Sequence, residues 1–118
     1  CHVDHDQFCY ICSKFEVKSL RRPIDESICN LYEELFNLRI DKNNSWLPSV
    51  ICNACNKMLL KWKVQKTRDV VKFSTPTIWR YPCTSKECYF CMNDVKGFTI
   101  KTKSKIVYNS VKSVTAPV

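Results

Sequence analysis

Three pairs of cysteines constrain the fold of this chain more than any other feature of its sequence. The two cysteines of each pair are separated by two residues, in the segments Cys9–Cys12, Cys52–Cys55 and Cys88–Cys91. Two thiolates at this spacing form a turn, called a zinc knuckle, that can bind one tetrahedral metal ion. A disulfide framework does not require this short spacing to recur. The total of nine cysteines is odd, which also disfavours complete disulfide pairing. The spacing therefore predicts a fold that depends on structural zinc.

The composition is that of an ordinary globular chain of 118 residues, with 45% hydrophobic and 25% charged residues. The single glycine, Gly97, argues against a glycine-rich phosphate loop and a nucleotide-binding fold. No apolar run reaches the length of a membrane span, and the polar start cannot be a secretory signal. The chain begins with Cys1 instead of methionine, which indicates a fragment of a longer protein. We therefore expect neither a membrane nor a small-molecule substrate as partner.

The apolar pattern predicts a small α+β fold. Asp25 can cap a helix over residues 26–39, in which apolar side chains recur at helical spacing. A second helix is predicted from Cys55 to about Lys72, and residues 97–103 alternate as a strand would.

These elements suggest a simple division of the chain. We assign a zinc-binding domain to residues 1–109, with a treble-clef-like part at 8–72 and a second knuckle part at 73–109. Residues 110–118 show no pattern, and the interpretation is a tail or linker.

The first zinc site is predicted from two complete cysteine pairs, Cys9 with Cys12 and Cys52 with Cys55. The 39 residues between the pairs leave room for a helical insert. A knuckle that feeds directly into a helix and pairs with a distant knuckle is typical of a treble-clef zinc fold. The start of that helix would bring its positive dipole to the thiolates.

A second zinc site is predicted around Cys88 and Cys91, with Cys83 near enough in sequence to supply a third ligand. The candidates for the fourth ligand lie near the N-terminus and are Cys1, His2 and His5. We favour a histidine, and His5 over His2 because the latter is nearer the fraying end. The sequence thus predicts two zinc ions as cofactors.

Catalysis is not expected from these sites. A catalytic zinc needs an open coordination position, whereas the available cysteines and histidines can fill both sites. The zinc-deaminase pattern also needs a glutamate two residues after a histidine, and neither histidine has one. Of the other candidates, we expect Cys29 to be a core thiol and the three tryptophans, Trp46, Trp62 and Trp79, to pack in the core.

Charge is distributed unevenly along the chain. Residues 1–56 hold 6 basic and 8 acidic side chains, whereas residues 57–118 hold 13 basic and 3 acidic ones. An acidic partner, including a nucleic acid, is therefore plausible. The candidate nucleic-acid contacts follow the third knuckle and are Lys96, Lys101, Lys103 and Lys105. The alternative interpretation is a solvated basic face, since no base-reading motif is visible.

Part of the chain resembles the zinc-finger-associated domain of insect transcription factors. The resemblance is carried by Phe8–Cys12, by the run Leu47–Cys55 and by the helix that follows, and it covers about residues 8–72. It implies a treble-clef module that binds one zinc and mediates dimerisation.

The order of motifs also resembles the N-terminal zinc region of the V(D)J recombinase and its transposon-encoded relatives. The matching positions, in chain order, are His2 and His5, Cys9–Cys12, Arg21–Pro23, Cys52–Cys55, Trp79, Cys88–Cys91 and the lysines named above. Cys83 occupies the position at which that pattern has a histidine, and a cysteine can also coordinate zinc there. The resemblance implies a nuclear, non-catalytic accessory domain of a transposon-derived or chromatin-associated protein.

The combined expectation is a zinc-stabilised protein-interaction or dimerisation domain of nuclear type. A basic, zinc-dependent nucleic-acid-binding module is the alternative.

Overall fold

The computed structural model describes residues 5–41, 46–80, 88–93, 95–111 and 113–118, and it shows a small α+β fold. Its helices and strands, in chain order, are β1 (Arg22–Pro23), α1 (Glu26–Phe36), β2 (Val50–Ile51), α2 (Asn53–Gln65), β3 (Ile78–Trp79), α3 (Tyr89–Met92) and β4 (Val114–Thr115). Short 3-10 turns also occur, at His5–Gln7 and Lys18–Leu20 before β1, and at Arg68–Val70 and Lys103–Lys105 later in the chain. Within these described ranges, no helix combines the length and apolarity that crossing a membrane requires.

Helix α1 confirms the predicted cap and apolar face. The Asp25 carboxylate accepts a hydrogen bond from the Ile28 N–H at 2.8 Å, which satisfies one of the free donors at the helix start. The predicted stripe consists of Ile28, Leu31, Tyr32, Leu35 and Phe36, of which the first four are buried and Phe36 is partly buried. The helix ends earlier than the predicted residue 39 because Asn37 adopts a left-handed conformation, with φ of 57°.

Helix α2 confirms the predicted helix after the second knuckle but is shorter at its far end. It begins at Asn53, with Cys52 as its N-cap, and it ends at Gln65. Lys66 adopts a left-handed conformation, with φ of 54°, and its N–H closes the last turn on the Trp62 carbonyl. The expected continuation to Lys72 is therefore wrong.

Two small antiparallel sheets connect distant parts of the chain. Strand β1 pairs with β2, so that Arg22 faces Ile51, and β3 pairs with β4, so that Trp79 faces Val114. The second pairing corrects the assignment of residues 110–118 as a tail or linker, since β4 lies within that segment. Its sequence shows no alternation because a two-residue strand is too short to display one.

The predicted strand at residues 97–103 is also wrong. Gly97 takes a positive φ of 88°, and the Thr102 hydroxyl accepts a hydrogen bond from the Thr99 N–H. The Lys103 N–H then donates to the Thr99 carbonyl, which closes a turn of helix-like backbone. Threonines bonded locally to the backbone favour such turns over a sheet ladder.

The core consists of two apolar clusters. The larger cluster packs α1 and α2 against the first knuckle, and its fully buried members include Ile11, Ile51 and Leu59. The smaller cluster packs α3 against the strand-like residues that flank that knuckle, and its members are Phe8, Phe15, Cys88, Tyr89, Phe90 and Val95. Trp79 packs against both clusters and therefore joins them.

We expect the cap of α1 to contribute measurably to folding. Asp25→Ala should lower the free energy of unfolding by about 1 kcal/mol, because the Ile28 N–H loses its partner. Chemical denaturation followed by circular dichroism measures this loss. Ser27→Ala, in the exposed first turn of the same helix, is the matched control and should not destabilise the protein. Equal stability of the two variants would contradict the role of the cap.

Candidate metal centre

Four cysteine sulfurs converge at one point of the fold. They belong to Cys9, Cys12, Cys52 and Cys55, and all lie within 4.8 Å of one another. The Cys12 and Cys52 sulfurs are 3.7 Å apart. Sulfurs bound at about 2.3 Å in a tetrahedron around zinc are about 3.8 Å apart, so this edge matches a metal site. The structure therefore confirms that the first two cysteine pairs form a possible metal site.

The backbone of the first knuckle is shaped around its first sulfur. The Ile11 and Cys12 N–H groups both point at the Cys9 sulfur, at 3.3 and 3.4 Å. Ser13 then takes a left-handed conformation, with φ of 64°, and its N–H donates to the Cys9 carbonyl. Phe8 and Phe15 pair across the resulting turn as an isolated antiparallel bridge. The turn thus presents both of its cysteines to the same side.

The second knuckle is the start of α2. The Cys52 sulfur caps the helix by accepting a hydrogen bond from the Cys55 N–H at 3.4 Å. Both sulfurs therefore lie at the positive end of the helix dipole, which favours negatively charged thiolates. Three of the four cysteines are buried, and Cys12 is partly exposed.

The environment separates the proton affinities of these thiols. Hydrogen bonds from the Cys12, Cys55 and Cys9 thiols hold the pKa of Cys52 well below its usual range. Burial raises the pKa of Cys9 well above the usual value. Because a metal ion binds thiolates, its binding at this cluster would displace the protons of those thiols whose pKa is raised.

A buried carboxylate, which the sequence analysis does not single out, supports the same helix end. Glu16 is only 1% exposed, and its side chain accepts a hydrogen bond from the Asn53 N–H at 2.9 Å. Its other carboxylate oxygen lies 2.7 Å from the Lys103 ammonium. Removal of Lys103 would leave the buried Glu16 carboxylate without its cation. The one signal in the sequence is an acidic residue between two apolar ones, Phe15 and Val17, and this pattern alone does not indicate burial.

The second zinc site stays a prediction. Cys83, His2 and Cys1 lie outside the described residues. Cys88 is a free, buried thiol, and the His5 ring packs against Phe90 of the same knuckle, with the ring centroids 6.1 Å apart. Cys91 is disulfide-bonded, a state in which its sulfur is not a thiolate ligand. Among the described residues, only the first cluster brings three or more possible ligands together.

The other predicted residues have separate locations. Cys29 is a free, partly buried thiol on α1, and the three tryptophans pack against the larger cluster as expected. Of the candidate nucleic-acid lysines, three are exposed, namely Lys96, Lys101 and Lys105. Lys103 is instead paired with Glu16, so it is not a free cation of a nucleic-acid surface.

No known protein family, curated protein or solved structure matched the chain in sequence or fold comparisons.

We expect the four clustered cysteines to bind metal as one set. Cys12→Ser should lose one zinc ion per chain and lower the thermal midpoint, because metal binding energy is here largely folding energy. Elemental analysis and a thermal scan measure both effects. Cys29→Ser, which changes a partly buried thiol outside the cluster, should keep the metal content of the unmodified chain. Equal zinc content in both variants would contradict the assignment.

Acid should release the metal. The ion binds thiolates, so every proton taken up by a sulfur competes with it, and affinity falls as the pH falls. The raised pKa of Cys9 strengthens that competition. Titration from neutral to acidic pH, followed by a zinc indicator and by circular dichroism, should show metal release and loss of helix together. Loss of helix without zinc release would show that the two are not coupled.

Proposed function

We propose that this chain is a zinc-stabilised protein-interaction domain whose exposed helical surface binds a second copy of itself. The observation that carries the proposal is the closed cluster of four cysteine sulfurs at the start of α2. Such a set fills all four positions of a tetrahedral ion and leaves none for substrate, which is the pattern of structural sites. The metal then stabilises the fold, and the exposed surface of that fold binds the partner protein.

Several features support zinc and a treble-clef-like arrangement at this cluster. Four thiolates in a tetrahedral set suit zinc or iron, and zinc is the metal of most such structural sites. A turn-forming knuckle, a short antiparallel sheet and a second knuckle that opens a helix occur in the order that a treble clef requires. A second zinc at Cys88 and Cys91, with Cys83 and His5 or His2, requires the reduced form of Cys91.

The candidate interaction surface is the outer face of α2. Leu60 and Val64, one turn apart, are 47% and 82% exposed. Lys57 and Lys61, also exposed, lie at helical spacing beside them. We call these four residues the α2 stripe. Apolar side chains with a cationic border fit an amphipathic surface that carries negative charge.

A second copy of the chain offers such a surface. Helix α1 packs against α2 and exposes Glu26, Glu33 and Glu34, of which Glu33 also pairs with Arg39 and Glu34 with Lys66. The ion pair between Lys66 and Glu34 joins the C-terminal end of α2 to that of α1. The basic helix α2 and the acidic helix α1 therefore lie side by side at these ends. Under two-fold symmetry, a basic α2 of one copy can face an acidic α1 of the other, and this contact occurs twice. The nuclear, transposon-derived or chromatin-associated setting belongs to the proposal through the resemblance in motif order alone.

Sedimentation velocity at micromolar concentration tests self-association. We expect the zinc-loaded chain to sediment as a dimer, and Val64→Lys to raise the dissociation constant by about ten-fold or more by placing a charge in the apolar contact. Val107→Lys is the matched control, because Val107 is 86% exposed but lies outside the α2 stripe. Zinc content is measured for each variant.

Two outcomes would contradict self-association through the α2 stripe. A monomer at all concentrations tested would remove the dimer. Equal weakening by Val64→Lys and Val107→Lys would show that charge in general, and not this face, controls association.

A further inference from the structure

A cavity of about 760 Å³ opens beside the cysteine cluster, between the first knuckle and the C-terminal segment. Its apolar lining includes Phe15, Met58, Phe73, Ile106 and Val114. This volume lies within the range of about 300–1,000 Å³ that is usual for ligand sites. None of the residues of the α2 stripe lines it, so the cavity is a different surface from the proposed dimer contact.

Three lysines are among the residues that line the cavity. Lys14 and Lys72 are exposed, and neither forms an ion pair with a described residue. The third lysine, Lys103, is neutralised by Glu16, which also lines the cavity. Two exposed ammonium groups, those of Lys14 and Lys72, therefore lie beside an apolar interior without a carboxylate partner among the described residues. A ligand that matches this lining carries apolar groups and negative charge together.

The negative charge of a metal-thiolate centre would compete with a ligand for the ammonium groups of Lys14 and Lys72. A zinc ion with four thiolates carries a net charge of about −2, and Cys12, Cys52 and Cys55 line the cavity. Part of this charge is offset by the N–H groups that point at the Cys9 and Cys52 sulfurs. The ammonium groups of Lys14 and Lys72, being on exposed side chains, remain within reach of a ligand in solvent. A test must therefore separate ligand binding from metal retention.

We propose that this cavity binds an acidic peptide segment of a partner protein, with apolar side chains inside and carboxylates at Lys14 and Lys72. An extended peptide fits better than a small molecule because exposed residues form part of the lining, so that a longer chain can pass over it. These exposed lining residues include Ser104, Ser110 and Ala116. The inference rests on the proposed protein-interaction role, but it concerns a different surface and partner.

The test uses the zinc-loaded chain and two pools of degenerate hexapeptides. One pool combines Asp and Glu with Leu and Phe, and the other replaces the acidic residues with Lys. Nuclear magnetic resonance of the amide groups reports which residues each pool contacts. We expect the acidic pool to shift the signals of Phe15, Met58 and Val114, and the basic pool to leave them unchanged.

Variants of the lining locate the interaction. The double variant Lys14→Glu and Lys72→Glu should weaken binding of the acidic pool by about ten-fold or more, since attraction becomes repulsion. Ser104→Trp should obstruct the cavity and also weaken binding. Ser27→Trp, on the exposed face of α1 and away from the cavity, is the matched control. All variants should retain the zinc content of the unmodified chain.

Four outcomes would overturn the proposal. Three concern binding: no shift of the amide signals at the cavity, equal shifts with both pools, or unchanged binding of the acidic pool by the charge-reversed variant. The fourth is loss of zinc from that variant, which would show that the two lysines stabilise the metal site instead. Equal saturation of the cavity by decanoate would identify a free apolar anion as the ligand instead. The dimer contact is tested apart from this, because Val64→Lys should bind the acidic pool like the unmodified chain.

Discussion

The convergence of four sulfurs at the start of α2 is the constraint on which the larger cluster depends. The Cys12 and Cys52 sulfurs, which are 40 positions apart in the chain, come within 3.7 Å of each other. Closing a loop of this length costs chain entropy that grows only slowly with loop length, so one metal ion bound by all four sulfurs would offset much of that cost. Helix α1 lies inside that loop. Its buried face then has a fixed partner in α2, and the two helices complete one apolar core.

Electrostatics at the helix end complement this cross-link. The N-terminal N–H groups of α2 receive a sulfur from Cys52 and a carboxylate from Glu16, so two anions share one positive helix end. Glu16 in turn holds Lys103, which comes from the last quarter of the chain. The cysteine cluster, the start of α2 and the C-terminal segment are therefore linked by direct contacts. Burial of such a charge is tolerated because each carboxylate oxygen has a partner.

Local patterns in the sequence were sufficient for some features and not for others. The spacing within each cysteine pair identified the candidate metal site, and the periodicity after Asp25 identified α1, because both signals are carried by residues close together in sequence. The end of α2 was overestimated because nothing in the residues around Lys66 announces a left-handed conformation. The strand expected at 97–103 failed because local threonine bonds form a turn there. Glu16 and β4 depend on partners far along the chain, which no local pattern encodes.

Trp79 has a consequence for how far the domain can be divided. Its indole N–H donates to the Tyr10 carbonyl at 2.8 Å, and its ring stacks on Phe90 with the centroids 5.5 Å apart. One side chain thus belongs to the core around the helices and to the core around the third knuckle. A truncated chain that ended before it would leave Phe8 and Phe15, both buried in the smaller cluster, facing water. The boundary between residues 72 and 73 is therefore a division of the sequence only, because the segments on its two sides share core contacts through Trp79.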